Sequence, residues 1–292
     1  MVHIGDLPED LLLHLLSLVP GRDLIRNCRL VCSQWRDLVD VPTVWRRKCQ
    51  WEGFLPRGQD RSVPNWKMFY FLCLKKRNLI KNPAAEAGLK HWVTIVHKDD
   101  EWNIKDLPGV DGREFPLPHV QKCFVTPLYW RSTKEQYIDL RKEGYWAELM
   151  DETKPDIVVK DWYIARYASG CRYTLTVQLL AENSMILETF EVPKEVIRQW
   201  NDAEWHEITH TFHNYPSGVR YIHFKHGSRG AKFRLNRYGV CVTNSGVTIG
   251  PEMAPRVGKE TAPLTSSVLF GALGSNLEAL TGRSAGFIPD NA

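Results

Sequence analysis

The segment from residue 8 to residue 20 has the pattern of a helix that is apolar on almost every side. Pro8 is a favoured first helical residue, and Pro20 followed by glycine is a typical stop signal. Asp10, His14 and Ser17 fall at helical spacing and predict one narrow polar stripe. The remaining positions are Leu11, Leu12, Leu13, Leu15, Leu16, Leu18 and Val19. Because a unit of about 45 residues has little core of its own, one face of this helix is predicted to pack internally and the other against a partner.

From about residue 91 the pattern changes to short β-rich segments separated by Gly, Pro, Asn and Asp. Tyr173, Leu175 and Val177 alternate with polar residues, as in a half-buried strand. The predicted strands are 91–97, 122–129, 156–163, 172–180, 205–212, 219–224 and 240–249, and only 144–150 is predicted as a short helix. Many short strands with few helices predict an antiparallel sandwich.

Two further segments differ from both of these. Residues 51–90 are interpreted as a connector with helical parts, because Trp66, Phe69 and Tyr70 begin a broad apolar helical face that Asn82-Pro83 would break. Residues 251–292 are dominated by Pro, Gly, Ser, Thr and Ala, which predicts a disordered tail.

Composition narrows the functional classes. The net charge is only +4, and the one dense basic run is Lys75-Lys76-Arg77. A nucleic-acid binder would show a stronger basic stripe, so this run is interpreted as a solvated linker face. No stretch reaches the ~18 apolar residues that cross a membrane. Acidic residues near the N-terminus interrupt any signal-peptide pattern. We therefore expect a cytoplasmic protein that neither binds nucleic acid nor inserts into a membrane.

The seven cysteines are an odd number without a spaced framework. Cys28, Cys32 and Cys171 are predicted to be free thiols in core positions, which is typical of a reducing compartment. The three-residue gap between Cys28 and Cys32 is not that of a zinc knuckle. No metal site and no cofactor is expected.

Catalytic patterns are not apparent either. On a strand, His206 and His210 would share a face while His213 points away, so surface or hydrogen-bonded histidines are favoured over a metal site. The acidic residues between 151 and 161 show no spacing that singles out an acid and a base, and they are interpreted as solvated. Neither a nucleophile elbow nor a phosphate-binding glycine loop occurs. The sequence predicts a protein that binds rather than catalyses.

The N-terminal motifs resemble an F-box over residues 4–50. They are the Leu7-Pro8 opening, the centre Leu30-Val31-Cys32-x-x-Trp35-Arg36 and the closing Trp45-Arg46-x-Lys48-Cys49. The resemblance implies three short helices that dock on the Skp adaptor of a cullin–RING ubiquitin ligase. The residues expected to bind the adaptor are Leu7, Pro8, Leu11, Leu15, Val31, Trp35 and Trp45.

A second resemblance covers residues 78 to about 250, which look like the F-box-associated domain of the sugar-recognising F-box proteins. The motifs that carry it are Arg77-Asn78-Leu79, Glu143-Gly144-Tyr145-Trp146-x-Glu148-Leu149, 156–162, Gly218-Val219-Arg220-Tyr221 and Val242-Thr243-Asn244-Ser245. This family implies a jelly-roll, galactose-binding-like sandwich with a carbohydrate site on loops at one end. Several members bind the inner chitobiose and mannose of N-linked glycans and so mark misfolded glycoproteins for degradation.

Together these features predict an α+β chain of four parts. They are an F-box at 1–50, a helical linker at 51–90, an F-box-associated antiparallel β-sandwich at 91–250 and a tail at 251–292.

The sugar-contacting loop departs from the family pattern. A sugar reader needs an exposed aromatic ring for the apolar face of a pyranose, beside planar donors and acceptors for its hydroxyls. This chain has Phe233 and Arg234 where the family has Tyr and the stacking Trp. A guanidinium can lie flat against a sugar but lacks the apolar face of an indole. The residues expected to bind glycan or substrate are Phe233, Arg234, Lys232 and Asn236, with Leu128 and Tyr129 from a second loop.

Three functional hypotheses stay open at this point. The first is a ligase adaptor that reads glycans on client proteins in ER-associated degradation. The second is the same adaptor reading a protein surface, because the stacking pair is replaced. The third is a free-standing lectin or chaperone-like binder.

Overall fold

The computed structural model describes residues 7–54, 63–96, 101–108, 113–127, 132–165, 171–193, 197, 202–230 and 239–251. Its N-terminal part is helical. The helices are α1 (Glu9–Leu18), α2 (Gly21–Arg26), a 3-10 turn (Cys28–Leu30), α3 (Ser33–Asp40), α4 (Pro42–Trp51) and α5 (Trp66–Lys75). Within the described ranges, no helix combines the length and apolar character required to cross a membrane.

Prolines divide the N-terminal helices. Pro8 precedes α1, and Val19 is extended at its end because the residue before Pro20 is disfavoured in the helical region. Val41 is extended before Pro42 for the same reason, and Pro42 then occupies the first turn of α4. The predicted end of the first helix is therefore confirmed, and its start is one residue later than predicted, at Glu9 with Pro8 as the N-cap. The three implied helices are divided into four with a 3-10 turn.

The helices pack around Trp45, which is fully buried and donates its indole N–H to the Val39 carbonyl at 2.7 Å. Tyr70 of α5 lies beside it, with ring centroids 5.4 Å apart. At Gly21 a Cβ would lie 2.4 Å from the Tyr70 ring, so only glycine allows α2 to approach α5 this closely. The other buried apolar members of this core are Leu12, Leu13, Leu16, Leu24, Leu38, Val39, Val44, Cys49, Phe54, Phe69 and Cys73. Helix α5 thus completes the core of the helical unit.

The β-rich part forms two antiparallel sheets of five strands each. The strands are β1 (Val93–Ile95), β2 (Asn103–Asp106), β3 (Lys122–Val125), β4 (Ser132–Asp139), β5 (Ile157–Ala165), β6 (Cys171–Leu180), β7 (Ile186–Glu191), β8 (His206–Phe212), β9 (Tyr221–Gly230) and β10 (Val240–Ile249). The first sheet has the order β1-β4-β9-β6-β7 and the second β2-β3-β10-β5-β8. Side chains from both sheets form one core, which includes Leu175, Val177, Phe224, Val159 and Val242. The predicted sandwich is confirmed.

Three strands were not predicted from the sequence, namely β2, β4 and β7. Strand β4 shows why, because its inward side chains include Lys134 and Gln136 and its outward ones include Tyr137. That arrangement inverts the expected alternation of apolar and polar residues. The predicted helix at 144–150 is displaced, and the structure has a π-helical turn at Leu149–Thr153.

Helix α5 is fixed to the sandwich by the residues that follow it. Asn78 donates to the Ser245 carbonyl at 2.9 Å and accepts from the Val247 N–H at 3.0 Å. Arg77 pairs with Glu143 at 2.6 Å, and Lys76 donates to the Pro251 carbonyl at 2.8 Å. The basic run at 75–77 therefore bonds to the sandwich, which corrects the prediction of a solvated face in part, since Arg77 is still 48% exposed.

Candidate functional site

The helical unit exposes apolar side chains on α1. Leu11 is 44% exposed, Leu15 40% and Leu18 55%, whereas Leu12 and Leu16 are buried. We call Leu11, Leu15 and Leu18 the leucine face. Their spacing places them on one side of the helix. An exposed apolar stripe on a helix whose opposite side is buried is typical of a surface for a partner.

The other predicted adaptor residues are distributed over the same unit. Pro8 is exposed, Val31 is 62% exposed, and Leu7 and Trp35 are half-buried against the core. Trp45 has no exposed surface, so it supports the fold from inside and does not present a contact to a partner, which corrects its predicted role.

Leu18, Leu30 and Trp51 are exposed apolar residues that were not predicted to bind the adaptor, although the i, i+4, i+7 spacing from Leu11 indicates Leu18. Leu30 is 75% exposed and Trp51 is 66% exposed. The Trp51 ring lies edge-on to His14 of α1, with centroids 6.4 Å apart. The apolar surface available to a partner is therefore larger than predicted.

The sandwich has one end where several strands begin and end together. Cα partners place Ser132 opposite Ser228 and Cys171 opposite Gly230 in the first sheet. In the second sheet Val240 lies opposite Ala165. The two sheets are linked there, because Ser228 donates its hydroxyl to the Thr126 hydroxyl, with 2.7 Å between the oxygens. We call this end, from which the connections β3–β4, β5–β6 and β9–β10 leave, the loop rim.

The predicted glycan-binding residues belong to two of these connections. Phe233, Arg234, Lys232 and Asn236 fall between β9 and β10, and Leu128 and Tyr129 fall between β3 and β4. All six lie outside the described residues. The described strand ends on both sides of each connection lie on the loop rim, so the topology brings the two connections to the same end of the sandwich.

Inside the sandwich, a buried carboxylate accepts hydrogen bonds from three donors. Asp161 is fully buried, and its Oδ2 lies 2.5 Å from both Tyr173 Oη and His226 Nδ1. Ser245 donates to Oδ1 at 2.8 Å. Asp161 is thus not the solvated acid that its sequence context suggested, and it ties β5 to β6, β9 and β10, four strands from the two sheets.

A lysine lies next to this network without a hydrogen-bond acceptor among the described residues. Lys134 is fully buried opposite His226, and its Nζ lies 3.2 Å from the Trp92 ring centroid and 3.6 Å from that of Phe124. Aromatic faces attract a cation and partly replace its lost hydration. The rings of Trp92 and Phe124 therefore cover the buried Lys134 inside the sandwich.

Burial sets the protonation of these groups. Loss of hydration lowers the pKa of His226 to about 4, although Asp161 opposes the change. The same cause lowers the pKa of Lys134 well below its ordinary value. Burial and the neighbouring carboxylate raise the pKa of Tyr173. At neutral pH His226 is therefore uncharged and donates its Nδ1 proton to Asp161, which is a structural arrangement.

The histidines that were considered for a metal site are dispersed over the sandwich. His206 interacts with Asp202 at 3.3 Å, and His213 with Asp156 at 2.7 Å. His210 stacks on a phenylalanine instead. Across the described ranges, no three His, Cys, Asp or Glu side chains converge as they would around a metal ion.

The cysteines also differ in part from the prediction. Cys32 is exposed and Cys28 half-buried, so neither occupies the expected core position, and the side chain of Cys171 lies outside the described residues. Cys49 and Cys73 are buried, and burial raises the pKa of each thiol to about 12. Such thiols are protonated and unreactive at neutral pH.

The fold and these surfaces define a two-part protein, in which a helical unit with an exposed apolar face is bonded to a β-sandwich with a loop rim. Comparison with known proteins agrees with this class. The family model described as F-box-like matches residues 4–51, and that of the F-box associated region matches residues 70–249. The chain therefore belongs to the F-box proteins that carry an F-box-associated region.

Named relatives are similar along most of the chain. F-box only protein 6 of Homo sapiens is 49% identical over 250 residues, which cover 86% of this chain and 85% of the relative. F-box only protein 44 of Homo sapiens is 50% identical over 86% of this chain and 98% of its own. F-box only protein 2 of Bos taurus is 42% identical over 85% and 84% of the two chains.

One solved structure is a more distant match. The structure of TmCBM61 in complex with β-1,4-galactotriose covers 60% of this chain and 99% of its own, with 16% identity and a TM-score of 0.37. That overlap is too low to support any inference about function.

Proposed function

We propose that this protein is the substrate-recognition subunit of a Skp–cullin–F-box ubiquitin ligase and performs no catalysis itself. The leucine face is the observation that carries this proposal. Leu11, Leu15 and Leu18 remain exposed on a helix whose opposite side is completely packed, in a chain that belongs to the F-box proteins. Burying these side chains against an adaptor removes apolar surface from water. The client would then be held by the sandwich.

The joint between the two parts supports a receptor of fixed geometry. Helix α5 belongs to the helical core, and the residues after it bond to β10 and to the segment around Glu143. A client on the sandwich would therefore stand at a constant distance from the adaptor. Ubiquitin transfer would be directed to lysines of the client within that reach. The division into F-box, linker, sandwich and tail is part of this proposal.

The client class in this proposal is a glycoprotein that carries an N-linked, high-mannose glycan, recognised in the cytoplasm for ER-associated degradation. Membership in a family with an F-box-associated region supports this choice. So does the convergence of the β3–β4 and β9–β10 connections on one rim. Phe233 and Tyr129 supply aromatic rings in those connections, and Lys232 and Asn236 supply hydrogen-bonding groups.

A second candidate is the same receptor reading a protein surface. Arg234 in place of the family's stacking Trp favours it, because a guanidinium binds carboxylates and aromatic side chains of proteins readily. A glycan array probed with the purified full chain separates these candidates. Selective signals for chitobiose-containing glycans support the first, and an array without signal supports the second.

Adaptor binding is tested by co-purification of the full chain with the Skp adaptor. Leu11→Asp combined with Leu15→Asp is expected to abolish co-purification without lowering the melting temperature, because both positions are exposed. Val93→Asp is the matched control, since Val93 is 59% exposed on the sandwich. Undiminished adaptor binding by the double variant would refute the docking face and leave a free-standing lectin or chaperone-like binder.

A further inference from the structure

The outer face of the first sheet carries an aromatic platform at a distance from the loop rim. Tyr137 of β4 is 61% exposed. Its ring lies against that of His223 of β9, with centroids 4.0 Å apart and planes at 6°. Two parallel rings stacked face to face across neighbouring strands form a fixed surface, since neither side chain can rotate without losing the stack.

Polar groups around the platform are fixed as well. His223 lies 3.2 Å from a Glu135 oxygen through Nε2 and 3.3 Å from the Gln178 amide oxygen through Nδ1. Glu135 is held in turn by Lys225 at 3.0 Å. The Glu135 carboxylate, the Gln178 amide and the Lys225 ammonium therefore lie around the stacked rings, on neighbouring strands of the sheet that fix their positions.

A groove of about 330 Å³ begins beside Tyr137. Its lining includes Lys81, His91, Val93, Glu135 and Glu143. Both carboxylates are already paired with cations, Glu135 with Lys225 at 3.0 Å and Glu143 with Lys81 at 3.4 Å. Paired charges still offer lone pairs and N–H groups to hydroxyls, but they leave little net charge to attract an ionic ligand.

We propose that this platform and groove form a second carbohydrate-binding surface, which takes a neutral oligosaccharide of β-linked pyranoses. A pyranose with equatorial substituents presents a flat apolar face that fits the exposed Tyr137 ring. Its hydroxyls are then within reach of Glu135, Lys225 and the groove. A charged ligand would compete with the existing ion pairs, and a purely apolar one would leave these polar groups desolvated without partners.

This surface is separate from the loop rim. Tyr137 is five positions along β4 from Ser132 at the rim, a distance of about 17 Å along an extended strand. Its side chain points outward, whereas the neighbours Lys134 and Gln136 are buried. The proposal therefore does not depend on sugar binding by the β9–β10 connection, and the two can fail independently.

The test uses calorimetry with chitotriose on the full chain and its variants. Tyr137→Ala is expected to weaken the binding about tenfold, through loss of the stacking ring. Tyr137→Phe keeps the ring and should bind like the unaltered chain. Met185→Ala is the matched control, because Met185 is 57% exposed elsewhere on the same sandwich.

The outcomes distinguish this surface from the loop rim. Unchanged affinity in Tyr137→Ala, with loss in a Phe233→Ala and Arg234→Ala double variant, would overturn the proposal and assign the binding to the rim. Absence of chitotriose binding by the unaltered chain at millimolar concentration would overturn it as well, and would leave the exposed edge strand β1 to a peptide partner. Loss in Tyr137→Ala with retention in Tyr137→Phe would support it.

Discussion

Removing the buried carboxylate of Asp161 is the sharpest test of how the sandwich is held together. Asp161→Ala leaves the donors of Tyr173, His226 and Ser245 inside the sandwich without their acceptor. All three donors and the carboxylate itself are buried. Lys134, whose charged form is favoured by this carboxylate, loses the nearby opposite charge.

The size of the effect follows from those contacts. A hydrogen bond to a charged group contributes about 1.5–3 kcal/mol, so three of them set an upper bound near 9 kcal/mol. The alanine variant has no carboxylate to transfer from water into the interior on folding, and this offsets several kcal/mol of the loss in stability. We expect a net loss of about 3–5 kcal/mol in the free energy of unfolding, as for breaking other buried charge networks. In a domain of this size that loss lowers the melting temperature by roughly 6–20 °C.

The assay is urea unfolding of the full chain, followed by tryptophan fluorescence. Glu207→Ala is the matched control, because Glu207 lies opposite β5 on β8 and pairs with Lys160 at 2.8 Å on the surface. The Glu207→Ala substitution should lower the free energy of unfolding by less than about 1 kcal/mol. Asp161→Asn keeps one acceptor oxygen and should fall between the two. Equal and small losses in the Asp161 and Glu207 variants would refute the reasoning.

Three further predictions follow from the same regions. The pKa of His226 is about 4 in the folded chain and 6.5 is its ordinary value, so between these pH values the unfolded chain binds a proton that the folded chain does not. The free energy of unfolding should therefore fall as the pH is lowered from 6.5 to 4. Urea unfolding of the unaltered chain and of His226→Asn over this pH range measures the difference. Lys134→Met should leave the unfolding free energy unchanged or raise it by up to about 2 kcal/mol, since Nζ of Lys134 is buried without an acceptor among the described residues; a loss of several kcal/mol in urea unfolding would contradict this. Replacing Phe233 and Arg234 by Tyr and Trp should strengthen chitobiose-glycan binding about ten- to hundredfold in calorimetry, and the absence of any gain would indicate that the loop rim does not bind sugar.

Local signals allowed much of the fold to be predicted. Pro8 and Pro20 set the limits of α1 through their fixed φ and their effect on the preceding residue, and these signals need no tertiary context. The alternation of Tyr173, Leu175 and Val177 indicated β6, because their side chains face a fully buried layer.

Strand β4 could not be predicted, because its inward polar residues find partners from distant parts of the chain. Gln136 bonds the backbone of Lys81 through both amide atoms, and Lys134 lies against the aromatic rings of Trp92 and Phe124. Such residues look solvent-facing until their partners are known. The buried position of Asp161 could not be predicted for the same reason, because its partners come from β6, β9 and β10.

The candidate docking surface was partly predictable. The apolar excess of α1 indicated that some leucines would remain exposed, and Leu11 and Leu15 do. Which aromatic residues pack internally depends on α5, a helix from another segment of the chain. Trp45 contacts Tyr70 of α5 and is buried, whereas Trp51 remains exposed.

Ubiquitination by a reconstituted ligase that contains the full chain tests the central proposal most directly. The substrate is a denatured glycoprotein that carries high-mannose N-glycans, compared with the same protein after enzymatic removal of the glycans. The receptor proposal predicts ubiquitin chains on the glycosylated form and modification of the deglycosylated form that is at least about tenfold slower. A tenfold difference corresponds to ~1.4 kcal/mol of binding free energy from the glycan. Equal rates for the two forms would contradict glycan reading.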